Sequence, residues 1–377
     1  MIHRTIRMAL AILLVAPAAA VAESINAGGR SASADLPFAV DAVAEFDTPW
    51  AIAFLPDERM LVTEKPGRMF LVTQSGEKTA VGDVPEVAAA GQTGLLDIAA
   101  APDFATSARV YFTYVEEGDD GTRLVLARAI LSISDGGARL TDRAAIWKQT
   151  PAGGRGHPGG IIAFDPEGKH LFLTVGERQL GKPAQDPQQA RGKLLRLNLD
   201  GSTPPDNPQA GADGVPAQTW TTGHRNPYGL AFAADGKLWL HEMGPRGGDE
   251  LNLIAAGKNY GWPIVSNGDN YDGSKIPRHA TRPEFEAPLL YWNPIIAPAG
   301  LAFYNGAMFP QWRGSALVGG LGVGALLRIG FNAGQPDETD RWEMGARIRD
   351  VAVAPDGAVW VIEDDNPGRL LRLTPKP

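Results

Sequence analysis

The sequence contains no cysteine. That absence excludes disulfide staples, thiolate zinc sites, iron–sulfur clusters, CxxCH haem attachment and cysteine-nucleophile catalysis. Any redox chemistry therefore requires a bound organic cofactor. Net positive charge is also missing, since 35 Lys and Arg stand against 43 Asp and Glu, for a formal charge of −8. A phosphate backbone is gripped by a basic face, so no nucleic-acid partner is expected. Helix periodicity is nearly absent, and one apolar run approaches membrane length. That run lies in MIHRTIRMALAILLVAPAAAVA (1–22), where Arg4 and Arg7 precede a stretch broken by Pro17 and ending in small residues. It reads as a secretory signal peptide cut after Ala22. The mature chain is expected to be periplasmic or secreted, without a membrane span. ESINAGGRSASA (23–34) reads as a flexible leader.

What is present is a repeat. Of 377 residues, 45 are Gly and 30 are Pro, and many fall in one recurring pattern: small and apolar residues, a Pro/Asp/Gly turn, then an apolar strand. The six copies are AIAFLPDERMLVTE (51–64), LDIAAAPDFATSARVYFTYV (96–115), IIAFDPEGKHLFLTVGE (161–177), LAFAADGKLWLHE (230–242), LAFYNGAMFPQWRGSALVGG (301–320) and VAVAPDGAVWVIED (351–364). Each reads as a hairpin. Their turn positions, Pro56, Pro102, Pro166, Ala234, Asn305 and Pro355, are 46 to 71 residues apart. One four-stranded blade takes roughly 40 to 50 residues. The expected fold is all-β, a six-bladed β-propeller of four-stranded antiparallel blades filling residues 35–377, with residues 35–46 closing the ring against the last blade.

Repetition also locates a site, because residues at one offset before each innermost strand gather at one channel mouth. Gln92, His157, Arg225 with Asn226, and Arg347 with Arg349 lie six to ten positions before their turns. A base, two amides and three guanidinium groups would converge there and suit an anionic ligand. GRGHPG (154–159) and GLGVGA (320–325) fit glycine-rich nucleotide patterns. They lack the strand–helix context that such loops need. In HEMGPRGGDELNLIAAGKNYGWP (241–263), the carbonyls at Gly244 and Pro245 and the nearby carboxylates are hard oxygen donors of the kind Ca²⁺ prefers. A charged loop capping a blade explains that composition equally well.

The motifs TPWAIAFLPD, GLLDIA, GRGHPGG, GKLLRLNLDGSTPPDNP, GHRNPYGLAF, GPRGGDELNLI, GKNYGWP, IAPAGLAFYNG and RIRDV carry a resemblance across the mature chain. It resembles the soluble aldose sugar dehydrogenases that depend on pyrroloquinoline quinone (PQQ), relatives of soluble quinoprotein glucose dehydrogenase. The resemblance implies a six-bladed propeller that oxidises aldoses at C1 to the lactone, with a separate quinone or small haem protein as electron acceptor. It implies His157 as general base, with Gln92, Arg225, Asn226, Arg347 and Arg349 holding PQQ and one arginine stabilising charge on the reduced quinone. Gly244 and Pro245 correspond to carbonyl ligands of a Ca²⁺ beside PQQ, and Glu250 with the backbone of Tyr260 to a second calcium site. The chain departs from some relatives at Gly322, where they carry a PQQ-contacting Lys. It departs from the glucose-specific relatives at Gly156 before the histidine and at Asn293, next to Trp292, where they carry an Asp and a sugar-covering aromatic. These departures point to a broad-substrate enzyme; as to assembly, a monomer or a homodimer is expected. A Ca²⁺-dependent propeller lactonase and a non-catalytic carbohydrate-binding propeller are the competing functions.

Overall fold

Short apolar strands separated by Gly- and Pro-containing turns bury their backbone polar groups only by pairing into sheets. The computed structural model describes residues 23–134, 137–154 and 156–376, so the proposed signal peptide (1–22) and Arg155 of the GGRGHPGG motif lie outside the described residues. The chain is all-β and propeller-like, with a few single-turn helices in the connections. Six innermost strands, Pro49–Phe54, Leu95–Ala100, Gly159–Phe164, Pro227–Phe232, Pro298–Phe303 and Ile348–Val353, each pack against the next, and the last packs against the first. From each, the chain meanders outward through antiparallel neighbours. The first two meanders form one eight-stranded sheet, joined where Lys78–Gly82 runs parallel to Gly137–Lys148.

Burial follows position in the sheet. The second strands Met60–Glu64, Leu238–Glu242, Ala316–Gly320 and Val359–Glu363 are buried throughout. They are covered on both faces, which accounts for their continuous apolar runs. Outer strands such as Lys78–Gly82 are mostly exposed. Phe38–Phe46 pairs antiparallel with the C-terminal Gly368–Pro375, so the two chain ends share a sheet. Residues 23–34, expected as a flexible leader, are instead tied down. Ile25–Asn26 adds a parallel edge strand to Leu290–Tyr291, Ala27 is buried, and Arg341 Nη1 donates to the Arg30 carbonyl at 2.7 Å. The backbone of this small, polar stretch completes an otherwise open sheet edge. Among the described residues no helix is long and apolar enough to cross a membrane.

Each innermost strand breaks register near its start, at Pro49/Ala51, Leu95/Ile98, Gly159/Ile162, Pro227/Gly229, Ala299/Leu301 and Ile348/Asp350. A bulge re-aims its extra side chain. Three of the bulged residues, Trp50, Tyr228 and Arg349, meet at one end of a cavity of about 170 Å³. Trp50 and Tyr228 are edge-to-face at 5.5 Å, and the Arg349 guanidinium lies 4.3 Å from the Trp50 ring centre.

Two carboxyls line the same cavity. Asp97 accepts the Ile162 amide at 2.7 Å and Asp350 the Ile52 amide at 2.8 Å, each joining its strand to the next innermost strand. Burial pushes Asp97 up to about 8, opposed by the Ile162 amide and reinforced by the Asp350 charge. Burial likewise pushes Asp350 up to about 7. Both groups bind a proton more tightly folded than unfolded, where a carboxyl titrates near 3.9. The stability they contribute is therefore fully present below about pH 4 and is lost as pH rises towards 8. Thermal melts at constant ionic strength should show the midpoint falling between pH 5 and pH 8. Asp97→Asn should flatten that fall, and an unchanged slope in the variant would refute the assignment.

Candidate active site

His157 lies in the glycine-rich turn entering the third innermost strand. Its φ of 44° is left-handed, an unusual conformation for a non-glycine residue. Two hydrogen bonds fix it there: Gln92 Oε1 accepts the His157 amide at 2.7 Å, and Nδ1 lies 2.5 Å from Glu177 Oε1. The other Glu177 oxygen accepts the Gly181 amide. Both side chains are buried. With Nδ1 occupied by a carboxylate, the neutral ring carries its proton there and Nε2 is left with a free lone pair. Burial holds the His157 imidazole below its ordinary pKa, outweighing the Glu177 hydrogen bond and aided by Arg225. Burial raises the Glu177 carboxyl, but the bonds from His157 and Gly181 outweigh it and leave it below the usual range. Arg178 and Gln179, which follow, are also left-handed, at 63° and 62°. Such backbone strain clusters at functional sites.

Arg225 approaches from the turn into the fourth innermost strand, and its carbonyl accepts the Glu177 amide at 2.9 Å. Its Nη1 donates to the Gly244 and Met243 carbonyls at 2.9 and 3.1 Å, and its Nη2 to the Tyr271 hydroxyl at 3.2 Å. The guanidinium is 5.2 Å from the Trp262 ring centre and 5.8 Å from that of Tyr271. Its Nε is buried without a hydrogen-bond partner among the described residues, as are Asn226 Oδ1 and the Tyr228 hydroxyl. Orphaned buried polar atoms are costly. Their concentration here fits a polar ligand that satisfies them.

The structure thus brings Gln92, His157, Arg225, Asn226 and Gly244 together. Arg347 and Arg349 lie on the same rim, but both guanidinium groups already grip Asp364, at 2.7 and 2.6 Å. Asp364 is held below the usual carboxylate range, because Arg349 and then Arg347 outweigh its burial. An anionic ligand must share those arginines with Asp364. Arg349 does not pair with its chain neighbour Asp350. Asp350 instead faces the central cavity.

The metal candidates split differently. Gly244, Glu250 and Tyr260, together with Arg225, line a cavity of about 10 Å³, the size of one water or ion. Glu250 accepts from Asn252 Nδ2 at 3.2 Å, and its other oxygen lies 3.2 Å from His279 Nε2. The cavity's oxygen donors are Glu242, Glu250 and Ser266 with the backbone around Gly244, of the kind a hard cation takes. The Gly244 carbonyl already accepts Arg225 Nη1, so a cation on Gly244 and Pro245 would use that oxygen's second lone pair beside the guanidinium. Among the described residues no three His, Asp or Glu converge on one point, so such a cation would depend on carbonyl and amide oxygens.

His279 is buried in a single-turn helix with Nε2 3.2 Å from Glu250 Oε1. Trp292 is buried in the core and donates to Glu338 at 2.6 Å. Asn293 binds the Asn267 carbonyl at 2.9 Å, with its side chain against Gly247. The residue that sequence reasoning missed is Glu177. A signal was available, because four of the repeated segments end on an acidic pattern containing Glu64, Glu177, Glu242 or Glu363. Three of these hold the turn into their own innermost strand: Glu64 accepts the Asp47 amide at 2.7 Å, and Glu242 accepts the Arg225 amide while lying 2.8 Å from His224 Nδ1. Glu177 is the copy that grips His157.

Residues 46–372 match the family described as Glucose / Sorbosone dehydrogenase. The chain belongs to that family. The protein named aldose sugar dehydrogenase YliI from Escherichia coli is 40% identical over 342 residues, spanning 88% of this chain and 91% of that one. The crystal structure of the soluble Escherichia coli aldose sugar dehydrogenase, in its apo-form, superposes with a TM-score of 0.83 at 38% identity, covering 90% of this chain and all 100% of that one. A structure described as the PQQ-bound aldose sugar dehydrogenase of Streptomyces coelicolor matches with a TM-score of 0.71 at 28% identity, covering 91% and 100%. Membership of this dehydrogenase family makes the chain an oxidoreductase, and the cluster around His157 and Arg225 is its candidate active site.

Proposed function

We propose that the chain is a PQQ- and Ca²⁺-dependent aldose dehydrogenase, exported to the periplasm or beyond, whose innermost strands are those of a six-bladed propeller. One observation carries the reading: a buried histidine gripped through Nδ1 by Glu177, beside Arg225, whose Nε has no partner among the described residues. When bound, PQQ supplies the two-electron acceptor for hydride leaving the anomeric carbon. Arg225, Asn226, Arg347 and Arg349 would hold its carboxylates and ring edges, with Gln92 bracing the His157 backbone. A Ca²⁺ on the Gly244 and Pro245 carbonyls would supply Lewis acidity, and a second ion would sit against Glu250 and the Tyr260 backbone. His157 Nε2 takes the proton of the anomeric hydroxyl as the sugar becomes the lactone. Glu177 stabilises the imidazolium that results, and its lowered pKa keeps it ionised throughout. Electrons leave to a separate quinone or small haem protein.

A propeller lactonase needs acidic and amide side chains converging on one cation, and among the described residues no three His, Asp or Glu converge. A non-catalytic lectin leaves the His157–Glu177 pair without work. Purified protein supplied with PQQ, Ca²⁺ and a range of aldoses is expected to reduce an artificial dye. Hydrolysis of a lactone with no dye reduction would favour the alternative.

A further inference from the structure

The site already described leaves one aromatic side chain unexplained. Tyr271 is 73% exposed, the most exposed large apolar residue described, whereas Arg225 beneath it is 6% exposed. Leaving a ring in water forgoes the gain of burying it. Its loop is nonetheless well fixed. The Asp269 carboxylate binds Lys275 at 2.7 Å and Arg278 at 2.6 Å, and the Asn270 amide donates to the Ser274 carbonyl at 3.0 Å, closing the base of the tip that carries Tyr271. The hydroxyl is then located by Arg225 Nη2 at 3.2 Å, with the ring centre 5.8 Å from that guanidinium. A pinned loop therefore presents an aromatic face on the solvent side of Arg225.

We propose that Tyr271 is the sugar platform of this enzyme, a specificity-determining residue on which the apolar C–H face of a pyranose stacks. This rests on the dehydrogenase reading. Tyr271 is exposed where Arg225 beneath it is buried, so the ring meets what arrives from solvent. A pyranose with equatorial hydroxyls presents such a C–H face, and stacking on it tolerates changes in hydroxyl configuration. Tyr271 therefore favours the aldopyranose class over one particular sugar, which matches a site where Trp292 is buried and Asn293 is turned onto Asn267.

The test compares Tyr271→Ala and Tyr271→Phe with wild type in two assays. One is dye reduction over a range of aldose concentrations. The other is calorimetric binding of a methyl glycoside, which has no free anomeric hydroxyl to oxidise. Tyr271→Ala is expected to raise KM and weaken glycoside binding about tenfold, the scale of one aromatic contact, with kcat and PQQ affinity held. Tyr271→Phe, which keeps the ring, should restore both values to within about twofold of wild type. Unchanged glycoside binding in Tyr271→Ala would overturn the proposal, as would equal losses in the two variants, because the hydroxyl's hold on Arg225 would then be the whole effect. Failure of the dehydrogenase reading shows separately, as wild-type protein that binds the glycoside and reduces no dye.

Discussion

Replacing His157 with alanine is expected to lower kcat for aldose-dependent dye reduction by about 10² to 10⁴, the usual contribution of a positioned general base. PQQ binding should change little, because His157 contributes a proton acceptor while the arginines contribute the charge. The pH profile supplies the second half of this expectation. Burial holds the His157 imidazole below its ordinary pKa, so the neutral, competent form persists into mildly acidic solution. The acid limb of kcat/KM should accordingly fall below the ordinary histidine value of about 6.5. A limb well above that value would mean that a different group titrates. Activity in His157→Ala equal to wild type would remove the base from the mechanism.

Glu177→Gln should be nearly as damaging. The carboxylate lies 2.5 Å from Nδ1 and also takes the Gly181 amide, so it fixes both the tautomer and the ring orientation. An amide of the same shape can offer its N–H to Nδ1, which places the ring proton on Nε2 and blocks the nitrogen needed for proton abstraction. Loss of a carboxylate in the comparable position of a serine-protease triad costs about 10⁴ in kcat. A fall of about 10² or more in Glu177→Gln is the expected result here. Glu177 raises the histidine pKa against the effect of burial. Removing its charge should therefore move the acid limb of the pH profile lower still, which a merely structural residue would not do. A large fall in kcat with an unmoved limb would assign Glu177 to folding of the turn. A melting temperature close to wild type would exclude that explanation of the loss.

These two residues mark how far the sequence could be read. His157 was legible because it combines a motif with a position, a histidine among glycines at the offset shared with Arg225 and Arg347. Glu177 was not, because it lies 20 residues downstream, at the far end of the neighbouring strand. Its pairing exists only once the hairpin is formed. The repeat made the strand order readable, since each Pro/Asp/Gly turn is followed by an apolar strand whatever surrounds it. Closure by residues 35–46 follows from the same logic, because the last sheet needs an outer strand. The register breaks that swing Trp50, Tyr228 and Arg349 into the channel are set by backbone geometry between paired strands, and no residue type announces them. Partner choice was the least legible feature. Arg349 has Asp350 beside it in the chain, yet it binds Asp364, because the register break re-aims the arginine while the Asp350 carboxyl accepts the Ile52 and Val351 amides.

The most direct test of the central claim is the absorbance spectrum of the protein loaded anaerobically with PQQ and Ca²⁺, recorded before and after one aldose addition. The account predicts that the protein retains the quinone, that aldose converts its spectrum to that of the reduced form with one sugar oxidised per cofactor, and that His157→Ala retains the quinone spectrum. Failure to retain PQQ, or a quinone spectrum unchanged by any aldose in the wild-type protein, would contradict it.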